Sequence, residues 1–152
     1  MARHPRNVLP PVGAYHVINR GVERRWIFGD VDDYSSFLRL YRRVVRAFGW
    51  TVYAYVLMPN HFHIVVVTEL EKLSKGMHRL SFRYAEAFNE KYERTGHLFQ
   101  GRFKAFSLDE EDDLGRVCAY VYDNPARVGL CDVGGAYPWV GGDFYEFVGD
   151  LR

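Results

Sequence analysis

The segment 50-WTVYAYVLMPNHFHIVVVT-68 contains two runs rich in β-branched and aromatic residues, separated by Pro59 and Asn60. Such residues favour strands, and a Pro-Asn pair favours a tight turn. The segment therefore predicts a β-hairpin with strands over 50–58 and 62–68. The second run is apolar at consecutive positions, which is typical of a strand covered on both faces of its sheet.

Two histidines, His61 and His63, stand at the start of that second strand. Because strand side chains alternate between faces, the two imidazoles share one face while Phe62 takes the other. Imidazole is the commonest metal ligand in proteins, so the pair predicts a shared metal ion. The same pattern also fits two ordinary histidines at the rim of a core strand, and taken alone it leaves both interpretations open.

The rest of the chain supplies a regular order of elements. Hydrophobic periodicity predicts further strands over 14–21 and 102–108 and helices over 32–49, 70–96 and 112–124. Acidic residues open the last helix, and Pro125 comes as it finishes. The order strand, helix, strand, strand, helix, strand, helix predicts the α+β fold class, with a ferredoxin-like (split βαβ) antiparallel sheet and helices packed on one face of it.

Length and composition bound the domain organisation. A chain of 152 residues that is 48% hydrophobic predicts a single domain over 1–152, with an extended basic arm at 1–13 and a C-terminal tail at 141–152. No apolar run approaches the roughly 18 residues of a membrane span, and no signal peptide is recognisable, so we expect a cytoplasmic protein. In that setting Cys118 and Cys131 are expected to be free thiols.

Charge is unevenly distributed although the net charge is only +1. Basic residues concentrate in 20-RGVERR-25, 39-RLYRRVVR-46 and 91-KYERTGHLFQGRFK-104, and acidic residues collect in 109-DEEDD-113. A mildly basic face would fit the phosphates of a nucleic acid, although solvated helix faces produce similar runs.

The last predicted helix carries a second group of polar residues. Tyr120 and Asn124 are four positions apart, which places both on one helix face, whereas Tyr122 points elsewhere. Opposite the two histidines they would supply a hydroxyl nucleophile and a third metal ligand. Tyr120 could instead be a packing residue with its hydroxyl at the surface, and Asn124 could be a C-terminal cap before Pro125.

Taken together, these segments resemble a known family. The motifs AYHVINRG, FGWTVYAYVLMPNHFHIVV, GHLFQGRFKA, AYVYDNPARVGL and YPW occur in this order between residues 14 and 140. In this respect the chain is similar to the single-tyrosine HUH transposases of insertion sequences, and most closely to the REP-associated tyrosine transposases.

The resemblance implies specific roles for the residues noted above. His61 and His63 match the two histidines of the HUH motif, and Tyr120 matches the catalytic tyrosine of the family. Asn124 matches the helix position that completes the metal site, where relatives often carry Gln. Together with the basic clusters, the resemblance predicts DNA contacts from Arg20, Arg24, Arg25, Gln100, Arg102 and Lys104.

The implied activity is metal-dependent DNA transposition with single-strand cleavage. Tyr120 would attack a DNA phosphate to give a 5′-phosphotyrosyl intermediate and a free 3′-OH, followed by strand transfer or rejoining. A site of two imidazoles and one amide would suit Mg²⁺ or Mn²⁺ as the divalent metal. The expected partner is single-stranded DNA, folded as a hairpin-forming repeat, with no membrane partner and a possible homodimer.

Two other classes of protein use parts of this pattern. A cupin-like metal enzyme also has His-x-His on a strand, but it requires a mostly β barrel, and residues 70–94 are predicted to be helical. A non-catalytic nucleic-acid-binding module on a ferredoxin-like sheet is the stronger alternative, because RNA-binding domains share that topology. Such a module has no need for His61, His63, Tyr120 and Asn124 to converge.

Overall fold

An antiparallel sheet forms the centre of the molecule. The structure, a computed structural model, describes residues 9–108, 111–131 and 136–143. Its strands are β1 (Val12–Arg20), β2 (Thr51–Met58), β3 (His61–Glu69), β4 (Lys104–Leu108) and β5 (Val140–Gly141). They are arranged in the order β4-β1-β3-β2-β5, and every pair is antiparallel. The first four follow the split βαβ order, so the predicted fold class is confirmed; most of the predicted arm and tail lies outside the described residues.

Three helices pack on this sheet, α1 (Val31–Phe48), α2 (Leu70–Lys91) and α3 (Glu111–Arg127). The first has clear start and stop signals. The side chain of Asp30 accepts a hydrogen bond from the backbone N–H of Asp33, and Gly49 ends the helix in the left-handed conformation. In the parts of the chain that the structure describes, no helix combines the length and the apolar character needed to cross a lipid bilayer.

The helices occupy both faces of the sheet, so the expectation of helices on one face is wrong. Alternate residues of β3 explain the arrangement. Phe62, Ile64 and Val66 belong to the large core under α1 and α2, whereas Val65 packs with Cys118 and other residues under α3. Because β3 is apolar on both sides, each face requires a cover, and burying one such side chain contributes about 1.5–3 kcal/mol.

Two helix ends differ from the predicted bounds. Helix α2 stops at Lys91 rather than at Gly96, because Glu93 has a positive φ of 53° and the side chain of Asn89 bonds the Gly96 carbonyl at 2.9 Å. Helix α3 instead runs past Pro125 to Arg127. A proline removes one backbone donor, and that loss near a helix end does not stop the last turn.

The β2–β3 turn is bound to the segment that follows β1. The Pro59 carbonyl accepts hydrogen bonds from the backbone N–H groups of Ile27 and Phe28 at 2.8 and 3.2 Å, and the Asn60 carbonyl accepts one from Gly21 at 2.9 Å. These bonds hold residues 21–28 against the start of β3. The basic cluster at 20–25 therefore lies beside the two histidines.

Candidate active site

The two histidines lie on the face of the sheet that α3 covers. His61 and His63 are separated by Phe62, which belongs to the opposite core, so their rings share one face with centroids 5.1 Å apart. His63 is buried, with 5% of its surface exposed, and His61 is half-buried at the strand's start. A rigid β-strand thus holds both imidazoles side by side.

Helix α3 brings the other two predicted residues to the same place. Asn124 is buried, and its Nδ2 lies 3.3 Å from Nε2 of His63. The ring of Tyr120 stands edge-on to His63 with centroids 5.9 Å apart, and 46% of Tyr120 is exposed to solvent. Tyr122 points away and donates a hydrogen bond to the Tyr53 carbonyl at 3.1 Å. Of these two tyrosines, Tyr120 is therefore the one that combines contact with His63 and access for a substrate.

A third histidine, His16 on β1, extends the group inward. Its Nε2 lies 2.9 Å from Nδ1 of His63, and the two rings are stacked with centroids 5.1 Å apart. His16 is buried, and its Nδ1 has no hydrogen-bond partner among the described residues. No local sequence pattern indicates this contact, because the strand pairing that creates it joins residues 47 positions apart.

The outer histidine has a partner of a different kind. Nδ1 of His61 lies 2.7 Å from Oδ1 of Asn60, and Nδ2 of Asn60 donates to the Arg24 carbonyl at 3.3 Å. In both His61 and His63, therefore, Nδ1 is hydrogen-bonded to another side chain of the protein. Because side chains alternate between the faces of a strand, the segment AYHVINRG could have placed His16 on the same face as Arg20. No sequence pattern assigned Asn60 a role beyond the turn.

Burial favours the uncharged form of all three imidazoles. Desolvation lowers the pKa of His16 to about 4 and that of His63 to about 3, with smaller contributions to His63 from His16, His61 and Arg127. Burial also lowers the pKa of His61, and the charge of Arg20 adds to this effect. The neutral ring is the form that can donate a lone pair to a metal ion.

A charged side chain covers the exposed tyrosine. The guanidinium of Arg127 lies 3.8 Å from the centroid of the Tyr120 ring and also donates a hydrogen bond to the Tyr120 carbonyl. This contact fixes the ring against α3 and places a positive charge beside the phenol. Sequence analysis did not single out Arg127, although its spacing of seven from Tyr120 corresponds to two helical turns.

The donor set suits a divalent metal ion. Two Nε2 atoms and one amide side chain would supply nitrogen and oxygen ligands, and all three residues are buried or half-buried. Across residues 9–108, 111–131 and 136–143, no group of three His, Cys, Asp or Glu side chains forms a metal site. Asn124 is the third ligand that the sequence predicts, and this assignment stays a prediction.

The six predicted DNA contacts do not all lie in one place. Arg20 faces His61 across the β1–β3 pair and donates to the side chain of Gln100. Arg24 and Arg25 are exposed in the adjoining turn, where Arg25 pairs with Glu23 at 3.5 Å.

The other two lie on β4 and in the segment just before it. Lys104 is exposed on β4, opposite Ile18. Arg102 lines a cavity of about 930 Å³ against α2, on the far side of the sheet from α3. The structure thus brings Arg20 and Gln100 to the histidines and does not bring Arg102 there.

Comparison with known proteins identifies the family. The family model described as "Transposase IS200 like" matches residues 12–124, which include the two histidines, Tyr120 and Asn124. The chain belongs to this family. As an IS200-like transposase it is an enzyme of DNA transposition, and no curated protein sequence matches it significantly.

Solved structures of low sequence identity share the fold of this IS200-like transposase. A REP-associated tyrosine transposase bound to a REP hairpin is 18% identical, with a TM-score of 0.75, covering 98% of this chain and 86% of that chain. A candidate transposase from Deinococcus radiodurans is 15% identical, with a TM-score of 0.53, covering 81% of this chain and 97% of that chain.

Proposed function

We propose that this IS200-like transposase cleaves and rejoins single-stranded DNA through a covalent tyrosine intermediate. The observation that carries the proposal is the position of Tyr120, which is exposed, edge-on to His63 and on the same helix face as Asn124. A nucleophile must reach its substrate while the groups that orient the phosphate stay fixed. A rim tyrosine beside a buried polar cluster meets both conditions.

The proposed step exchanges one phosphate ester bond for another. The phenol oxygen of Tyr120 forms a bond to the phosphorus as the bond from phosphorus to the 3′ oxygen breaks. The phenol releases its proton to solvent, and the departing 3′ oxygen gains one from solvent. The products are a 5′-phosphotyrosyl link and a free 3′-OH, and attack by a 3′-OH reverses the step without a nucleotide cofactor.

His61, His63 and Asn124 would hold Mg²⁺ or Mn²⁺ in this proposal. When bound, such an ion supplies charge stabilisation to the phosphate oxygens. The residues of the chain contribute orientation and charge: Arg127 holds the Tyr120 ring, and Arg20 adds positive charge beside His61. These contributions favour an anionic substrate at the rim of the site.

We infer that the substrate is DNA folded into a hairpin next to the cleavage site. Support comes from the similar REP-associated tyrosine transposase, whose structure is bound to a REP hairpin. The exposed turn with Arg24 and Arg25 lies beside the β2–β3 turn, where a DNA backbone could reach both it and Tyr120.

A covalent-adduct assay tests the proposal. The substrate is labelled single-stranded hairpin DNA from repeats flanking the gene, incubated with Mg²⁺ or Mn²⁺. We expect a protein–DNA adduct with the wild type and with Tyr122→Phe, and none with Tyr120→Phe. Tyr122 is the matched control, since it lies two residues away on the same helix and turns its hydroxyl to Tyr53.

Two outcomes would overturn the proposal. An adduct that persists in Tyr120→Phe and disappears in Tyr122→Phe would show that the nucleophile is Tyr122, on the other helix face. Tight binding of several hairpins without any adduct would favour the non-catalytic nucleic-acid-binding module.

A further inference from the structure

Each of the two histidines hydrogen-bonds through Nδ1, and these bonds constrain where the ring proton resides. A neutral imidazole carries one proton, on Nδ1 or on Nε2, and only the unprotonated nitrogen can bind a metal ion. The partners of Nδ1 are Asn60 for His61 and His16 for His63. Neither partner is among the residues assigned a role in the proposed cleavage.

The tautomer of His61 follows from the contacts of Asn60. The Arg24 carbonyl can only accept a hydrogen bond, so the group of Asn60 that faces it at 3.3 Å must be the NH₂. The amide oxygen of Asn60 therefore faces Nδ1 of His61 at 2.7 Å. An oxygen acceptor requires a proton on Nδ1, which leaves Nε2 of His61 with a free lone pair.

The pair of His63 and His16 allows two arrangements. Either Nδ1–H of His63 donates to Nε2 of His16, or Nε2–H of His16 donates to Nδ1 of His63. The first arrangement leaves Nε2 of His63 free to accept a hydrogen bond from Nδ2 of Asn124, which lies 3.3 Å away. The second places a proton on Nε2 of His63, directed at that same NH₂ group.

We propose that His16 and Asn60 are positioning residues that hold His63 and His61 in the same Nδ1–H tautomer. Both Nε2 atoms are then unprotonated on the α3 face before any ligand arrives. His16 is suited to this task because it is buried and stacked on His63, with its Nε2 2.9 Å from Nδ1 of His63. The metal-binding part of this inference rests on the proposed function, whereas the tautomers are a property of the free protein.

Ring-nitrogen NMR on the full chain tests the tautomers directly. The protein is ¹⁵N-labelled, freed of metal with a chelator, and its ring signals are assigned with His61→Gln and His63→Gln. We expect both rings of the wild type as Nδ1–H. In His16→Phe, which keeps an aromatic ring in the stack but offers no acceptor, we expect His63 to shift toward Nε2–H.

Metal affinity gives the second readout, with Mn²⁺ alone as the probe and no DNA present. Loss of a group that orients a metal ligand typically weakens binding by about 10–100-fold. We expect a loss of that size in His16→Phe and in Asn60→Ala. Recovery is expected in His16→Gln and Asn60→Asp, whose side chains offer an oxygen acceptor, and His78→Phe, at an exposed position of α2, is the matched control.

Specific results would overturn the inference. One is His63 as Nε2–H in the metal-free wild type; another is an unchanged tautomer and Mn²⁺ affinity in His16→Phe. If His16→Phe does not fold, the wild-type spectrum and His16→Gln still decide the question. Nδ1–H tautomers with His16-dependent Mn²⁺ binding but no DNA adduct would support this inference and overturn the proposed cleavage.

Discussion

Replacing Arg127 with Gln should slow the formation of the tyrosine adduct. The guanidinium lies 3.8 Å from the centroid of the Tyr120 ring, so its positive charge lies close to the phenol that would attack the phosphate. At about 4 Å a unit charge is worth about 1 kcal/mol in water and about 4 kcal/mol near a protein surface. Because Arg127 is exposed, we expect the lower part of this range, about 1–2 kcal/mol.

That free energy corresponds to adduct formation that is roughly 5–30-fold slower. Single-turnover kinetics on labelled hairpin DNA would measure it, with Arg116→Gln as the matched control. Arg116 lies on the same helix, is exposed and pairs with Asp113 at 3.4 Å. Higher salt should reduce the difference between the two variants, because screening weakens an exposed charge.

A result in which both variants react equally fast at low salt would refute this reasoning. Arg127→Lys separates charge from shape, because lysine keeps the charge but lacks the planar group that stacks on the ring. Full activity in Arg127→Lys would assign the effect to charge, and activity equal to Arg127→Gln would assign it to the stacked geometry.

Three further predictions concern stability. In chelator-treated protein, burial lowers the pKa of His16 to about 4 and that of His63 to about 3, so the stability associated with the two neutral rings is complete above about pH 6.5 and is lost on acidification. Urea titrations should show the free energy of unfolding falling by about 1.4 kcal/mol per pH unit for each extra proton that the unfolded state binds. A flat profile from pH 6.5 to 5 would contradict this. Gly76→Ala would place a Cβ 2.3 Å from the Trp50 ring, so thermal melts should show a Tm lower by about 2–6 °C, whereas Gly115→Ala, with open space, should not lower it. Asp33→Ala removes a buried carboxylate that accepts hydrogen bonds from Gly29, Lys91 and Tyr92, so the free energy of unfolding in urea should fall by about 3 kcal/mol or more. A loss of stability no larger than that caused by Asp32→Ala, at an exposed position, would show that the buried network does not stabilise the fold.

Local patterns were sufficient to predict most of the fold. The hairpin strands around Pro59 and Asn60 were placed to within a few residues, because β-branched runs and a turn signal are local properties. The side of the sheet that α3 occupies was predicted wrongly. It depends on Val65 and Cys118 packing together across the sheet, and no local pattern records that contact.

The candidate site, like the fold, was predictable from the sequence only in part. The spacing of His61 and His63, and of Tyr120 and Asn124, follows from strand and helix periods that are visible in the sequence. His16 became apparent only through the pairing of Ile18 with His63 in the sheet register. Arg127 was missed because the predicted helix ended at residue 124, whereas α3 continues to Arg127 and places it two turns after Tyr120.

The amide of Asn60 bonds both His61 and the backbone of Arg24, so the proposed metal site and the basic turn share one connection. Two ligands that each favour the same position of such a connection are thermodynamically linked. Linkage is reciprocal: if Mn²⁺ raises the affinity for hairpin DNA by some factor, the DNA must raise the affinity for Mn²⁺ by the same factor. In Asn60→Ala both factors should fall toward one together, even though Asn60 need contact neither ligand.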